Sequence, residues 1–142
     1  LLQGGKYRIE KVLGQGGFGI TYLATQELLD RKVCIKEFFF KEYCERDEAT
    51  SHVSLGTQSN HELVERFMTK FLKEARTISQ LNHPHIIRIY DIFEENGTAY
   101  YVMEYLQDGD LRRAPVQPHC FAISLTLVTA EYLYTSIYSF NI

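Results

Sequence analysis

The residue pattern predicts an α+β fold in the order three strands, one helix, two strands. A β-rich alternation runs into the glycine cluster Gly14–Gly19 and out into a second β-rich stretch. One long amphipathic segment follows, and two further β-rich runs flank Asn96-Gly97, a strong hairpin signal. A chain of 142 residues suits one domain that buries roughly two thirds of its surface. Its net charge of −3 argues against a nucleic-acid partner, which would call for a basic excess. Cys34, Cys44 and Cys120 are too few, and odd in number, for a disulfide scaffold. Leu1-Leu2 runs into Gly4-Gly5 rather than into an apolar signal segment, so the expected setting is reducing and cytoplasmic.

Tyr7 to Leu13 alternates, with Tyr7, Ile9 and Leu13 on one face and Arg8 and Glu10 on the other, as in a half-buried strand. After the glycines, Ile20 to Ala24 is β-branched and aromatic and ends at a polar turn, Glu27–Arg31. Arg31 to Phe40 predicts a third strand, and the polar, mixed residues 41–59 an irregular insert. Ser59-x-x-Glu62 has capping-box spacing and opens a helix running to about Leu81, which His83-Pro84 stops. Ile86 to Phe93 and Ala99 to Tyr105 complete the strands.

Glycines spaced Gly14-x-Gly16-x-x-Gly19 would let backbone N–H groups approach a phosphate without side chains in the way. A plain flexible hairpin turn fits the same spacing. A dinucleotide-binding unit would need a helix directly after the loop, and the β-rich run at Ile20 argues against one. In the third strand Cys34, Lys36 and Phe38 share one face, and Val33, Ile35 and Glu37 the other. Lys36 must therefore snorkel to water or meet an anion. On the helix, Leu63, Phe67, Phe71, Ile78 and Leu81 fall within about 60° of Glu74, so this acid lies within the apolar stripe. A buried carboxylate left without a cation costs about 3–5 kcal/mol, and Lys36 and, one turn earlier, Lys70 are the candidates. A Lys36–Glu74 pair in front of the glycine loop would place an ammonium on the phosphates of ATP.

Taken together, residues 5–111 resemble the N-terminal lobe of a protein kinase. Leu13-Gly14-Gln15-Gly16-Gly17-Phe18-Gly19 is similar to the glycine-rich loop, and Val33-Cys34-Ile35-Lys36 to the Val-Ala-Ile-Lys strand. Phe71-Leu72-Lys73-Glu74-Ala75 resembles the regulatory helix, and Leu81-Asn82-His83-Pro84-His85-Ile86-Ile87 the connection that follows it. Tyr101-Val102-Met103-Glu104-Tyr105-Leu106 resembles the fifth strand entering the hinge. The Gly-Ile-Thr-Tyr-Leu-Ala and Ile-Lys-Glu-Phe-Phe spellings are most similar to bacterial serine/threonine kinases of the eukaryotic-like type.

This resemblance implies a five-stranded antiparallel sheet with one main helix, and ATP as ligand. Gly14, Gly16, Gly17 and Gly19 would fold over the phosphates, with Lys36 on the α- and β-phosphates held by Glu74. Leu13, Thr21 and Cys34 would wall the adenine, and Met103 would be the gatekeeper. Backbone groups of Glu104 and Leu106 would bond the adenine edge, and Asp110 would meet the ribose. Thr21 stands where the family has Val, and Cys34 where it has Ala. Cys34 is either an inert buried thiol or a soft nucleophile. His83 and His85 lack the further ligands that a metal site would need.

Beyond Leu111 the text changes. Residues 112–142 carry only Arg112, Arg113 and Glu131 as charged side chains. Neither a His-Arg-Asp nor an Asp-Phe-Gly sequence occurs, and the last Asp is Asp110. The Mg2+ ligands and the catalytic-loop Asp of the family are thus missing from these 142 residues. A shifted reading frame or mis-joined segment accounts best for the tail; a docked extension and a membrane span are the alternatives, the span disfavoured by its Ser, Thr and Tyr residues. The expectation is the ATP-binding lobe of a serine/threonine kinase, inactive by itself and with an unassigned protein substrate. The alternative is a non-catalytic, kinase-like interaction module that docks through its insert or tail.

Overall fold

The computed structural model describes residues 1–56, 60–84 and 86–106. They fall into two units, Leu1–Gln80 with Arg88–Tyr105, and Leu81–Ile87 with the chain from Leu106 onward. In the second unit the described residues form a short turn closed by Ile86 N–H donating to the His83 carbonyl at 3.1 Å.

The strands of the first unit are β1 (Tyr7–Gln15), β2 (Gly19–Gln26), β3 (Arg31–Phe38), β4 (Cys44–Arg46) and β5 (Val53–Leu55), then helix α1 (His61–Ser79), then β6 (Ile89–Glu95) and β7 (Thr98–Glu104). Five strands make one antiparallel sheet in the order β1-β2-β3-β7-β6. The return from α1 inserts β7, not β6, beside β3, so the two hairpins are joined through their inner strands. Asn96 and Gly97 both adopt positive φ (54° and 73°), the conformation a two-residue hairpin turn demands.

Period-two alternation divides the sheet into two unlike faces. On one, Tyr7, Ala24, Val33, Ile35, Phe93, Tyr100 and Val102 form a core that Leu2 closes. The other carries Thr21, Leu23, Cys34, Lys36, Phe38, Tyr101 and Met103, in register across β2, β3 and β7. Helix α1 packs against β6 and β7, burying Val64, Phe71, Leu72 and Ala75. Phe71 lies 5.6 Å from the ring of Phe38 and 4.9 Å from that of Tyr101.

Several sequence expectations change. Strand β3 ends at Phe38 rather than Phe40, because the N–H groups of Phe39 and Lys41 turn to the carbonyls of Phe18 and Gly17. Leu13 does not share the buried face of Tyr7 and is 42% exposed. Register shifts between Ile9 and Lys11 and between Val12 and Gly14 break the alternation before it reaches Leu13. Helix α1 begins one residue after Asn60, with no side-chain cap bond, and stops at Ser79; Ser59 lies outside the described residues. Leu81 is therefore beyond the helix and half exposed rather than part of its stripe.

The insert is also more ordered than its composition suggests. Its strands β4 and β5 pair antiparallel, Cys44 opposite Leu55 and Arg46 opposite Val53. The Asp47 carboxylate closes their turn by accepting the N–H groups of Ala49 (3.0 Å) and Thr50 (2.7 Å). Val53 N–H then donates to the Asn96 carbonyl at 2.7 Å, docking the insert on the β6–β7 turn. A Cβ at Gly97 would stand 2.5 Å from the Val53 carbonyl oxygen, so glycine is required there by contact as well as by φ.

Candidate functional site

Lys36 owes its position to strand alternation. It points from the centre of the sheet, Thr21 and Tyr101 opposite it on β2 and β7, while its neighbours Ile35 and Glu37 point the other way. Its ammonium sits 5.9 Å from the Phe71 ring centroid and 5.6 Å from that of Tyr101, within cation–π range. Burial pushes its pKa below the ordinary lysine value, and the negative charge of Glu74 pulls it partly back. Lys36 thus feels the field of Glu74. Lys70 lies over the Phe67 ring at 5.7 Å.

The glycine cluster forms the turn between β1 and β2, and its glycines differ in what requires them. Gly14, Gly16 and Gly17 face open space, with nothing within 4 Å of where a Cβ would stand. Gly19 is packed: a Cβ there would meet the Glu37 carbonyl oxygen at 2.7 Å, because β2 crosses β3 closely. Gly16 N–H donates to the Gly19 carbonyl at 2.9 Å and closes the turn. Register places Gly14 opposite Thr21 and Thr21 opposite Lys36, so open glycine backbone and a half-buried cation share one row of the sheet. That combination suits a polyanion: backbone unobstructed by side chains on one side, a weakly hydrated positive charge on the other.

The next row along the strands is apolar. Cys34 lies opposite Leu23 and Met103, and both Cys34 and Met103 are buried. Burial raises the Cys34 thiol to about 11, which disfavours the thiolate that a nucleophile needs. Glu104 ends β7, with its N–H donating to the Arg88 carbonyl at 2.9 Å. Leu106 belongs to the second unit, and Asp110 and His85 lie outside the described residues. Among the described residues no three His, Cys, Asp or Glu side chains converge on a metal-sized site.

One cluster escaped the sequence reading. Glu37 is 1% exposed, and its carboxylate accepts the hydroxyls of Tyr22 at 2.6 Å and Tyr100 at 2.8 Å. Arg46 of β4 completes the set with an ion pair at 2.7 Å. Alternation with Val33 and Ile35 already implied a buried acid at position 37. Its cation could not be found from sequence, since it arrives from the insert. Tyr100 is raised to about 12 by burial, and Tyr22 is raised further for the same reason, so both remain hydrogen-bond donors at neutral pH.

Comparison with known proteins defines the class. A family model of the protein kinase domain matches residues 7–134, continuing past Leu111, where the charge pattern breaks. The chain belongs to the protein kinase family. Similar curated proteins include the serine/threonine-protein kinase PrkC of Bacillus subtilis (strain 168), 36% identical over 76% of this chain and 14% of that protein. The serine/threonine-protein kinase PksC of Streptomyces coelicolor is 30% identical over 88% of this chain and 21% of its own length. The chain therefore spans about a fifth or less of these relatives. Among solved structures, the PpkA-294 apo form superposes with a TM-score of 0.70 and 26% identity, covering 78% of this chain and 40% of that one. The five-stranded sheet with its single helix is the N-terminal lobe of the kinase fold.

Proposed function

We propose that this lobe binds ATP, and that the row Gly14–Thr21–Lys36 receives its phosphates. The observation that carries this reading is the pairing of open glycine backbone with a cation whose charge is only partly compensated by Glu74. A bound phosphate would return Lys36 toward its ordinary pKa and accept N–H groups of Gly17 and Phe18 in the turn. Leu13, Thr21 and Cys34 would flank the purine, with Met103 at its back and backbone groups of Glu104 at its edge. In the family Mg2+ shields the phosphates, but the motifs that hold it are not in these 142 residues. Phosphoryl transfer to protein serine or threonine would then need residues that this sequence does not supply. A cytoplasmic setting is consistent with Cys34 and Cys44 both being free thiols. No helix among the described residues is long and apolar enough to cross a membrane.

The test is binding of a fluorescent ATP analogue by the 142-residue chain. Saturable binding should weaken by about tenfold or more in Lys36→Met, the worth of one charged hydrogen bond to phosphate. Equal binding by both proteins would sink the reading. The boundary near Leu111 has its own test: the other two frames of the encoding DNA should spell His-Arg-Asp-like and Asp-Phe-Gly-like motifs downstream. Their absence would make 112–142 a genuine part of the protein.

A further inference from the structure

The buried Glu37 cluster has no part in the nucleotide site as just described, yet it lies one residue from Lys36 and reaches the insert. From Phe39 onward the chain is bound to the glycine turn at successive residues. Phe39 N–H donates to the Phe18 carbonyl at 3.0 Å, and Lys41 N–H to the Gly17 carbonyl at 3.1 Å. The Phe40 ring stands 4.7 Å from that of Phe18 and 5.2 Å from that of Phe67 on α1. The Phe40 carbonyl in turn accepts the N–H groups of Tyr43 (2.9 Å) and Cys44 (2.8 Å), which leads directly into β4. Strand β4 is then pinned beneath the sheet by Arg46 on Glu37, whose other contacts are Tyr22 of β2 and Tyr100 of β7.

A glycine-rich turn left to itself samples many backbone states, and a ligand that needs one of them must pay for ordering it. Here two of its carbonyls are tied to a segment whose far end is anchored in the core by an ion pair. The anchor also grips β3 at Glu37, on the side away from Lys36. Side chains of β2, β4 and β7 converge on that carboxylate of β3, so a shift of the insert must move the strand end and the turn together.

We propose that the insert is a clamp on the glycine turn, with Arg46 and Glu37 as its positioning residues. Arg46 holds Glu37, and the 39–41 backbone holds Gly17 and Phe18 in the conformation that receives phosphate. The role in nucleotide affinity rests on the ATP reading, whereas the coupling of insert to turn is measurable without any nucleotide.

Hydrogen–deuterium exchange and binding of the fluorescent ATP analogue are measured on the whole chain for wild type, Arg46→Met, Arg46→Lys and Glu48→Gln. Glu48 is an exposed insert residue outside the clamp. Arg46→Met should speed exchange of the Phe39 and Lys41 amides, whose hydrogen bonds hold the turn, by about tenfold, through local opening rather than global unfolding. It should weaken the analogue by about fivefold, as a misplaced binding group does. Arg46→Lys should recover most of both, and Glu48→Gln should resemble wild type. Because Arg46→Met leaves a buried carboxylate without its cation, Glu37→Gln/Arg46→Met is the companion variant should the single one not fold. Exchange at Phe39 and Lys41 unchanged in whichever of these two variants folds would overturn the clamp. Lys36→Met separates the two readings: if it binds the analogue like wild type, the ATP reading falls, while the exchange data still judge the clamp.

Discussion

Burial lowers the pKa of Lys36, and that fixes how it should respond to pH. Its pKa in the folded lobe is lowered, so between that value and 10.5 the unfolded chain binds more protons. Stability of the free lobe, taken as the difference between wild type and Lys36→Met, should rise as pH climbs through this window. Nucleotide affinity should show the opposite sign, full below the lowered pKa and falling as pH rises through it, since phosphate favours the ammonium form. Denaturant melts and analogue titrations over the alkaline range check both slopes, and parallel slopes would exclude an anion on Lys36. Cys34 gives a second prediction. With a pKa of about 11, roughly one thiol in three thousand is ionised near pH 7.5. Alkylation followed by peptide mapping should leave Cys34 unmodified in the folded chain and modify it readily in denaturant.

At the level of the turn and strands, the glycines separate into two kinds by contact. Gly14→Ala and Gly16→Ala have room for a methyl group, and should change stability by less than about 0.5 kcal/mol while reducing nucleotide affinity. Gly19→Ala meets the Glu37 carbonyl and should lower stability by about 1–3 kcal/mol, whether or not nucleotide is present. Chemical denaturation of the three variants separates these cases. Gly97→Ala combines a positive φ of 73° with a Cβ 2.5 Å from the Val53 carbonyl, so it should loosen the insert together with the hairpin. Limited proteolysis within 41–56 is the readout. The helix and the five strands were legible in the sequence because their periodicities are local. The start of α1 was not, since Asn60 ends up as its N-cap without a side-chain bond and the residue before it merely had capping-box spacing.

For the whole molecule, the family is settled by the match over residues 7–134, but these residues cover only 14% and 21% of the two relatives described. The sequence holds neither the catalytic-loop Asp motif nor the metal-binding Asp motif, so the purified chain should transfer no phosphate from ATP to protein. Labelled phosphate appearing in a protein substrate, and vanishing on Lys36→Ala, would refute that. The stripe that α1 buries is Val64, Phe71, Leu72 and Ala75, with Glu74 only half-buried. The order of elements, the alternation that sets Lys36 apart from Glu37 and the Asn96-Gly97 turn, by contrast, were all determined by sequence alone. Each depends on residues a few positions apart, where 3.6- and 2-residue periods and φ preferences act directly. The partner of Glu37, the hairpin within the insert, the exposure of Leu13 and the reason for Gly19 were decided only by the tertiary structure. They arise where β4 meets β3, where bulges offset β1, and where β2 crosses β3 closely, all distances that no local pattern encodes.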